Sequence, residues 1–275
     1  MRDQAEGLRR LASARERSAE PGDGPAAFVV GSGKGGAGKS VLSILLATAL
    51  ARDGHRVLLV DGAQNQANLH VLLGLTPIRR LGDLLRGESD PEGLLIEVAS
   101  GLSLLPGESG AENVYALAAV DRARLHRRLT GLYDRFDMVV IDAGPGLESA
   151  VRATMRASRL VVVAVPEPAA LSDAYALVKI VSLQVPSLPV DVLVNRAERS
   201  GDGPAVFGRL ALAARRFLRR ELSCLGVVAE NPAVREGVRR PGGLLEVEIP
   251  EVTEAARRLV VSSASQVRFG AGDTA

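Results

Sequence analysis

The chain has 275 residues, 47% of them hydrophobic, and a net charge of +2. Such a chain can bury a sizeable core, which excludes global disorder, and 34 basic against 32 acidic residues call for no specific nucleic-acid partner. A single cysteine excludes an intrachain disulfide framework. Since the sequence contains neither a signal peptide nor an apolar run of about 20 residues, we expect a cytoplasmic protein.

The N-terminus is predicted to form two segments ahead of the main domain. Asp3 is suited to cap a helix, Glu6 completes a capping box, and Leu8 lies on an apolar stripe of that helix. Nothing later in the segment covers the stripe, so we predict that residues 1–17 dock on a partner. Residues 18–25 are rich in Pro and Gly, which indicates a flexible linker.

A phosphate-binding loop follows the first predicted strand. Residues 26–30 form a short apolar strand, residues 41–50 an apolar helix, and the run from Gly33 to Ser40 matches the pattern G-x-x-x-x-G-K-[ST]. Glycines let backbone N–H groups approach phosphate oxygens, and the helix N-terminus adds positive charge. Lys39 is expected to reach the β- and γ-phosphates while Ser40 binds Mg²⁺. The residues predicted here to bind ATP are Gly33, Lys34, Gly35, Gly36, Ala37, Gly38, Lys39, Ser40 and Val41.

Further apolar runs alternate with helical stretches along the rest of the chain. Continuous apolar strands separated by helices are typical of a parallel sheet covered on both faces. We therefore predict an α/β fold, a doubly wound and mostly parallel sheet of the P-loop type, over residues 26–262, with a flexible tail at 263–275. The predicted strands after the first are Val57 to Val60, Leu102 to Leu105, Met138 to Ile141, Leu160 to Val165 and Val190 to Val194.

Two of these strands end in an aspartate. Asp142 follows Met138 to Ile141, where loop-type ATPases hold the Mg²⁺ shell, and Asp61 follows Val57 to Val60. Together with Ser40, both aspartates are the predicted Mg²⁺ site.

The second lysine of the loop, Lys34, resembles the extra lysine of the MinD/ParA ATPases. In that family this lysine reaches across a dimer to the partner's nucleotide, so the resemblance implies an ATP-dependent homodimer. It further implies that Asn195 and Arg196 contact adenine, and that Lys34, Lys39 and Asp61 are catalytic. The resemblance runs from about residue 26 to 260 and includes two further stretches, Asn68 to Gly74 and Pro166 to Lys179.

The loop after the second strand departs from the family. Asp61 and Asn68 fit the pattern Asp-x-Asp followed by Asn, but Ala63 stands where the second aspartate belongs. A methyl group cannot hold the attacking water. We therefore predict that ATP binds while hydrolysis is slow or absent, with Gln64 as an alternative residue to orient the water.

The N-terminal residues favour one branch of the family. Asp3-Gln4-Ala5-Glu6-Gly7-Leu8-Arg9 is similar to the N-terminal segment of the flagellar-number regulator FlhG, which stimulates the flagellar GTPase FlhF. The resemblance implies an FlhF-like partner bound through Asp3, Gln4, Leu8 and Arg9, with Gln4 acting near the partner's nucleotide. A ParA-type partition ATPase and a non-hydrolysing ATP-bound scaffold remain alternatives.

Signals for membrane contact are weaker. Residues 205–222 interleave arginines with apolar residues, which indicates a basic amphipathic helix. Such a helix suits an acidic lipid surface, a nucleic acid or packing on the sheet, and we favour packing. Residues 254–261 are assigned to the last helix of the domain, and the tail after them is short and polar. Contact with the inner face of the membrane therefore stays open.

Overall fold

The computed structural model describes residues 25–63, 68–79, 81–107, 128–129, 131–144, 146–154 and 157–269. Within these ranges, eight strands form one sheet in the order β3-β4-β2-β5-β1-β6-β7-β8. All neighbouring strands are parallel except the β3–β4 pair. The strands are β1 (Ala26–Gly31), β2 (Val57–Gly62), β3 (Ile96–Ala99), β4 (Leu102–Leu105), β5 (Met138–Ala143), β6 (Arg159–Ala164), β7 (Val190–Ala197) and β8 (Ser223–Ala229).

Helices connect the strands. The helix at Asp202–Ala213 continues directly into a π-helical turn at Ala214–Leu218, and short 3₁₀ turns occur at Glu92–Leu94 and Gly243–Glu246. The α-helices are α1 (Lys39–Arg52), α2 (Leu69–Leu72), α3 (Leu81–Arg86), α4 (Leu147–Thr154), α5 (Pro168–Gln184), α6 (Asp202–Ala213), α7 (Pro232–Arg239) and α8 (Pro250–Phe269).

The central strands are apolar over most of their length because both faces of the sheet are covered. In β1, Phe28 and Val30 join the cluster that includes α1 and α8, while Val29 joins the cluster that includes α5. Successive side chains of a strand point to opposite faces, so this division follows from the alternation of the strand. The predicted doubly wound, mostly parallel sheet is confirmed.

Two strands at the edges of the sheet were missed from the sequence. Strand β3 alternates half-buried and exposed residues along its four positions, and such a short amphipathic run gives a weak signal. Strand β8 begins directly after the segment that the sequence analysis assigned to a helix through residue 222. The last helix also differs in length: it continues to Phe269, past the predicted end of the domain at 262, because neither Gly nor Pro interrupts it.

The arginine-rich segment forms α6 and the π-helical turn. Its preferred interpretation, packing on the sheet, holds for Val206, Leu210 and Ala214, which are buried. It was wrong for Phe217, which is 68% exposed. Among the described residues, none of the helices is both long enough and apolar enough to cross a membrane.

Candidate nucleotide-binding site

The phosphate-binding loop joins β1 to α1 at the carboxyl end of the sheet. Gly36 and Gly38 have φ values of +79° and +89°, in a region that side chains disfavour. A Cβ atom on Gly33 would lie 2.0 Å from the carbonyl oxygen of Asp173, whereas one on Gly35 or Gly36 would meet nothing within 4 Å. The loop is therefore packed against α5 at its start and open over its middle.

Lys39, the first residue of α1, faces the end of β5. Its Nζ lies 3.0 Å from Oδ1 of Asp142, whose residue is 2% exposed. Burial raises the pKa of Asp142, and the charge of Lys39 together with hydrogen bonds from Ser40, Lys39 and Ser43 opposes that rise. The N-terminus of α1 therefore brings together the ammonium group of Lys39, a serine hydroxyl and the carboxylate of Asp142. Ser43, one turn along α1, was not predicted from the sequence.

Asp61 lies beside Asp142, since β2 and β5 are parallel neighbours with these two residues in register. Its carboxylate accepts hydrogen bonds from the backbone N–H groups of Ala63, at 3.1 Å, and Leu69, at 3.0 Å. Burial raises its pKa to about 6, although both N–H groups act to lower it. Asp61 therefore ties down the loop that carries Ala63, itself only 8% exposed.

Asn195 supports the loop from the end of β7. Its side-chain amide donates to the carbonyl oxygen of Ala37 at 2.8 Å, and the residue is 9% exposed. A Cβ on Gly38 would lie 2.3 Å from the Asn195 Nδ2 atom, so this contact also requires glycine there. Arg196 has a φ of +56° and is exposed, with its Nε 3.8 Å from Glu230. The adenine contacts of Asn195 and Arg196 remain predictions.

Lys34 is ion-paired with Glu167, which stands just before α5. The Lys34 contact lowers the pKa of Glu167, first by hydrogen bonding and then by charge. Glu167 was not among the predicted site residues, although it lies in the Pro166-to-Lys179 stretch that resembled the family. Both side chains are more than one third exposed, so Lys34 is held at the surface and not within the core.

Comparisons with known proteins agree with this geometry. A family model described as an AAA domain matches residues 27–186. The chain is 34% identical to the antiactivator FleN of Pseudomonas aeruginosa, across 80% of this chain and 79% of FleN. It is 31% identical to the flagellum site-determining protein YlxH of Helicobacter pylori, across 77% of this chain and 72% of YlxH.

The chain belongs to the MinD/ParA family of P-loop ATPases, in its FlhG (FleN/YlxH) branch. The structure of the Pyrococcus furiosus cell-division ATPase MinD has the same fold, with a TM-score of 0.70 and 27% identity. The alignment covers 86% of this chain and 99% of that one. The resemblance predicted from the sequence is therefore confirmed.

The described residues of this FlhG-family protein fit ATP with Mg²⁺. The loop leaves open space over Gly35 and Gly36 at a helix N-terminus, where backbone N–H groups favour phosphate. Lys39 supplies a cation, and Ser40 with Asp142 supplies the oxygen ligands that Mg²⁺ prefers. The predicted partner-binding residues Asp3, Gln4, Leu8 and Arg9, as well as Gln64, lie outside the described residues.

Proposed function

We propose that this FlhG-family protein is an ATP-dependent dimeric switch with slow hydrolysis, which controls flagellar number or placement and stimulates a partner GTPase. The observation that carries the proposal is the contrast within one site. The phosphate-binding groups are assembled around Lys39 and Asp142, while the loop after β2 presents the buried methyl group of Ala63. Such a site favours ATP binding over ATP hydrolysis.

Binding in this proposal rests on groups of the chain itself. Lys39 neutralises phosphate charge and the loop glycines present their N–H groups, while Ser40 and Asp142 would hold Mg²⁺, which would supply further positive charge to the phosphates. Lys39 exchanges its contact with Asp142 for the nucleotide when ATP binds. The ion pair holds the Lys39 ammonium group beside the phosphate-binding loop.

Hydrolysis in this proposal is limited by the loop after β2. Positioning and electrostatic stabilisation supply most of the catalysis of phosphoryl transfer. Both carboxylate oxygens of Asp61 accept hydrogen bonds from backbone N–H groups, and the side chain of Ala63 has no polar atom to orient a water molecule. The limiting case is a scaffold that binds ATP and never turns it over.

Lys34 is assigned the role of reaching the nucleotide of a second copy. Because it sits on the exposed rim of the site and its contact with Glu167 is solvent-exposed, little opposes its release. Dimerisation in this arrangement requires ATP, since Lys34 is proposed to bind the γ-phosphate, which ADP lacks.

The dimer is tested by measuring the mass of the full-length protein in solution with Mg²⁺ and either ATP or ADP. We expect dimers with ATP only, and monomers for Lys34→Ala under both conditions. The chain has one lysine outside the loop, Lys179, exposed on α5, and Lys179→Ala is the matched control that should still dimerise. An ATP-dependent dimer formed by Lys34→Ala would contradict the proposal.

The partner role is tested with a flagellar GTPase of the signal-recognition type. Full-length protein should raise its GTP turnover, and Gln4→Ala should abolish that increase while leaving ATP binding unchanged. Ser13→Ala, in the same N-terminal segment, is the control. Equal stimulation by Gln4→Ala would refute the role of Gln4.

A further inference from the structure

The chain enters its main domain at the amino end of the sheet. β1 begins at Ala26, and the backbone of Ala27 is hydrogen-bonded to Ser158, just before β6, at 2.8 and 3.1 Å. Because β6, β7 and β8 are parallel to β1, the helical segments that precede β7 and β8 must end at this same edge. The ends of α5 and of the π-helical turn therefore lie on the side where the N-terminal segment begins, opposite the phosphate-binding loop.

Large apolar side chains are exposed near these two helix ends. Leu183 on α5 is 69% exposed, Leu212 on α6 is 65% exposed and Phe217 in the π-helical turn is 68% exposed. The two segments touch, since Arg220 donates to the hydroxyl group of Ser182 at 3.1 Å. We name Leu183, Leu212 and Phe217 the amino-end apolar face. Exposed apolar residues gathered in this way indicate a surface that another segment covers.

Positive charge surrounds this face. Residues 203–220 contain five arginines and no acidic residue. Within the part of the chain that the structure describes, Arg209, Arg216 and Arg219 form no ion pair. The guanidinium group of Arg216 lies 5.5 Å from the centroid of the Phe217 ring, so charge and apolar surface are presented together. Such a surface favours an occupant that combines apolar with acidic side chains.

The N-terminal segment combines both features. Its predicted helix carries an apolar stripe that consists of Ala5, Leu8, Leu11 and Ala12. An isolated helix of so few residues is marginal in water, so it gains stability from a surface that buries the stripe. The linker at 18–25 contains Glu20 and Asp23 and no basic residue. The stripe matches the amino-end apolar face, and the linker matches the arginines around it.

The linker is long enough for this contact. Fully extended, residues 18–25 span about 26 Å. Neighbouring strands lie about 4.8 Å apart, which places the amino ends of β7 and β8 about 10 and 14 Å from that of β1. A short flexible tether also gives an effective concentration in the mM range. A contact too weak to join separate molecules is therefore populated within one chain.

We propose that the N-terminal segment folds back onto the amino-end apolar face of its own chain. The apolar stripe covers Leu212 and Phe217, and the acidic linker lies beside the arginines of residues 203–220. In this docked state residues 1–17 are withheld from a partner GTPase, so the contact is autoinhibitory. That consequence rests on the proposed function, whereas the contact itself does not.

The contact is tested by hydrogen exchange of the full-length protein, read on the backbone amides of residues 3–12. These amides should exchange about tenfold more slowly than those of an unstructured chain, because exchange follows the undocked fraction. Leu212→Ala with Phe217→Ala should remove most of this protection. Val71→Ala with Ile78→Ala trims two exposed apolar side chains after β2 and is the matched control that should keep it.

A charge swap tests whether the linker and the arginines face each other. Glu20→Arg with Asp23→Arg should lower the protection about threefold, and Arg216→Glu with Arg219→Glu should do the same. Combining all four changes should restore most of the protection, because opposite charges again face each other. A loss caused only by disturbed folding would not be restored in this way.

The autoinhibitory consequence is measured on the partner GTPase. Leu212→Ala with Phe217→Ala raises the free fraction of the segment, so half-maximal stimulation should need up to about tenfold less protein. Unchanged stimulation by this variant would overturn the inhibitory consequence. If Gln4→Ala still stimulates while the protection responds as expected, the GTPase proposal fails and the contact stands.

Three results would overturn the contact. Wild-type amides of residues 3–12 that exchange as in an unstructured chain would show that the segment does not dock. Full protection in the Leu212→Ala, Phe217→Ala variant would place the contact elsewhere on the domain. Protection that rises with protein concentration would make a second copy the occupant of the face.

Discussion

The ends of β5 and β2 lie side by side, yet the aspartates at these two positions have opposite surroundings. Asp142 faces Lys39, whose ammonium group both pairs with it and belongs to the phosphate-binding loop. Asp61 faces backbone N–H groups of its own loop, next to a methyl group at position 63. Ligand binding and hydrolysis can thus be encoded separately in adjacent strands, and one can weaken while the other persists.

The largest expected effect tests the Asp142 side of this contrast. Lys39→Ala should lower ATP affinity by more than about 10²-fold, because it removes the cation that we propose binds the β- and γ-phosphates. It should also lower the free energy of unfolding by about 3 kcal/mol, because Asp142 keeps its hydrogen bonds from Ser40 and Ser43 but is buried without the cation that pairs with its charge. Isothermal titration and chemical denaturation measure the two changes.

Adding Asp142→Asn to Lys39→Ala separates these effects. The double variant should regain most of the lost stability, since the buried charge is gone, but not the lost ATP affinity. If stability is not regained, the ion pair is not what makes the single variant unstable.

The next effect tests the Asp61 side. Ala63→Asp should raise ATP turnover by about 10²-fold at saturating ATP and Mg²⁺, because the loop regains a carboxylate that can orient water. Phosphate release measures the rate. Ala63→Asn, similar in size but uncharged, should raise it far less, and equal rates for wild type and Ala63→Asp would contradict impaired hydrolysis.

A smaller effect is expected from removing the hydrogen bond by which Asn195, on β7, supports the phosphate-binding loop. Asn195→Asp removes the amide that donates to Ala37 and should cost about 1–3 kcal/mol of unfolding free energy, with about tenfold weaker ATP binding. The matched change Asn231→Asp should be nearly neutral, because Asn231 accepts a hydrogen bond at a helix N-cap, which aspartate also does. If Asn195→Asp and Asn231→Asp had equal effects on stability and ATP binding, Asn195 would have no specific role in supporting the loop.

The smallest effect concerns the rim of the site. Glu167→Gln frees Lys34 from its ion pair and should strengthen ATP-dependent dimerisation by at most about fivefold, because exposed pairs are weak. Glu254→Gln breaks a somewhat more exposed pair with Arg258, 3.0 Å apart, and should leave dimerisation unchanged. Weaker dimerisation of Glu167→Gln would show that Glu167 supports the dimer.

Much of the site followed from the sequence because its parts are local. The loop from Gly33 to Ser40 is contiguous, and the aspartates that end two apolar strands meet at one edge of a parallel sheet. The distribution of lysines along the sequence is a further signal for this site. The chain has three lysines against 31 arginines, and two of the three lie in this loop.

Contacts between distant segments could not be predicted in the same way. Asn195 and Ala37 are 158 positions apart, and Lys34 and Glu167 are 133 apart. Each contact depends on which strands are neighbours in the sheet, and a local sequence pattern does not specify the order of the strands. The family resemblance implied that Asn195 contacts adenine, whereas only the tertiary structure shows its hydrogen bond to Ala37.

The sequence by itself determined the strand-loop-helix unit, the parallel sheet and the replacement at position 63, because backbone propensity and hydrophobic periodicity act over a few residues. Tertiary structure decided the rest. It divided residues 203–220 into a buried side and an exposed side that carries arginines, since a helix with apolar residues on all sides has no preferred face until the sheet covers one. Whether a side chain is buried depends on the residues packed around it, and the tertiary fold decides which residues those are.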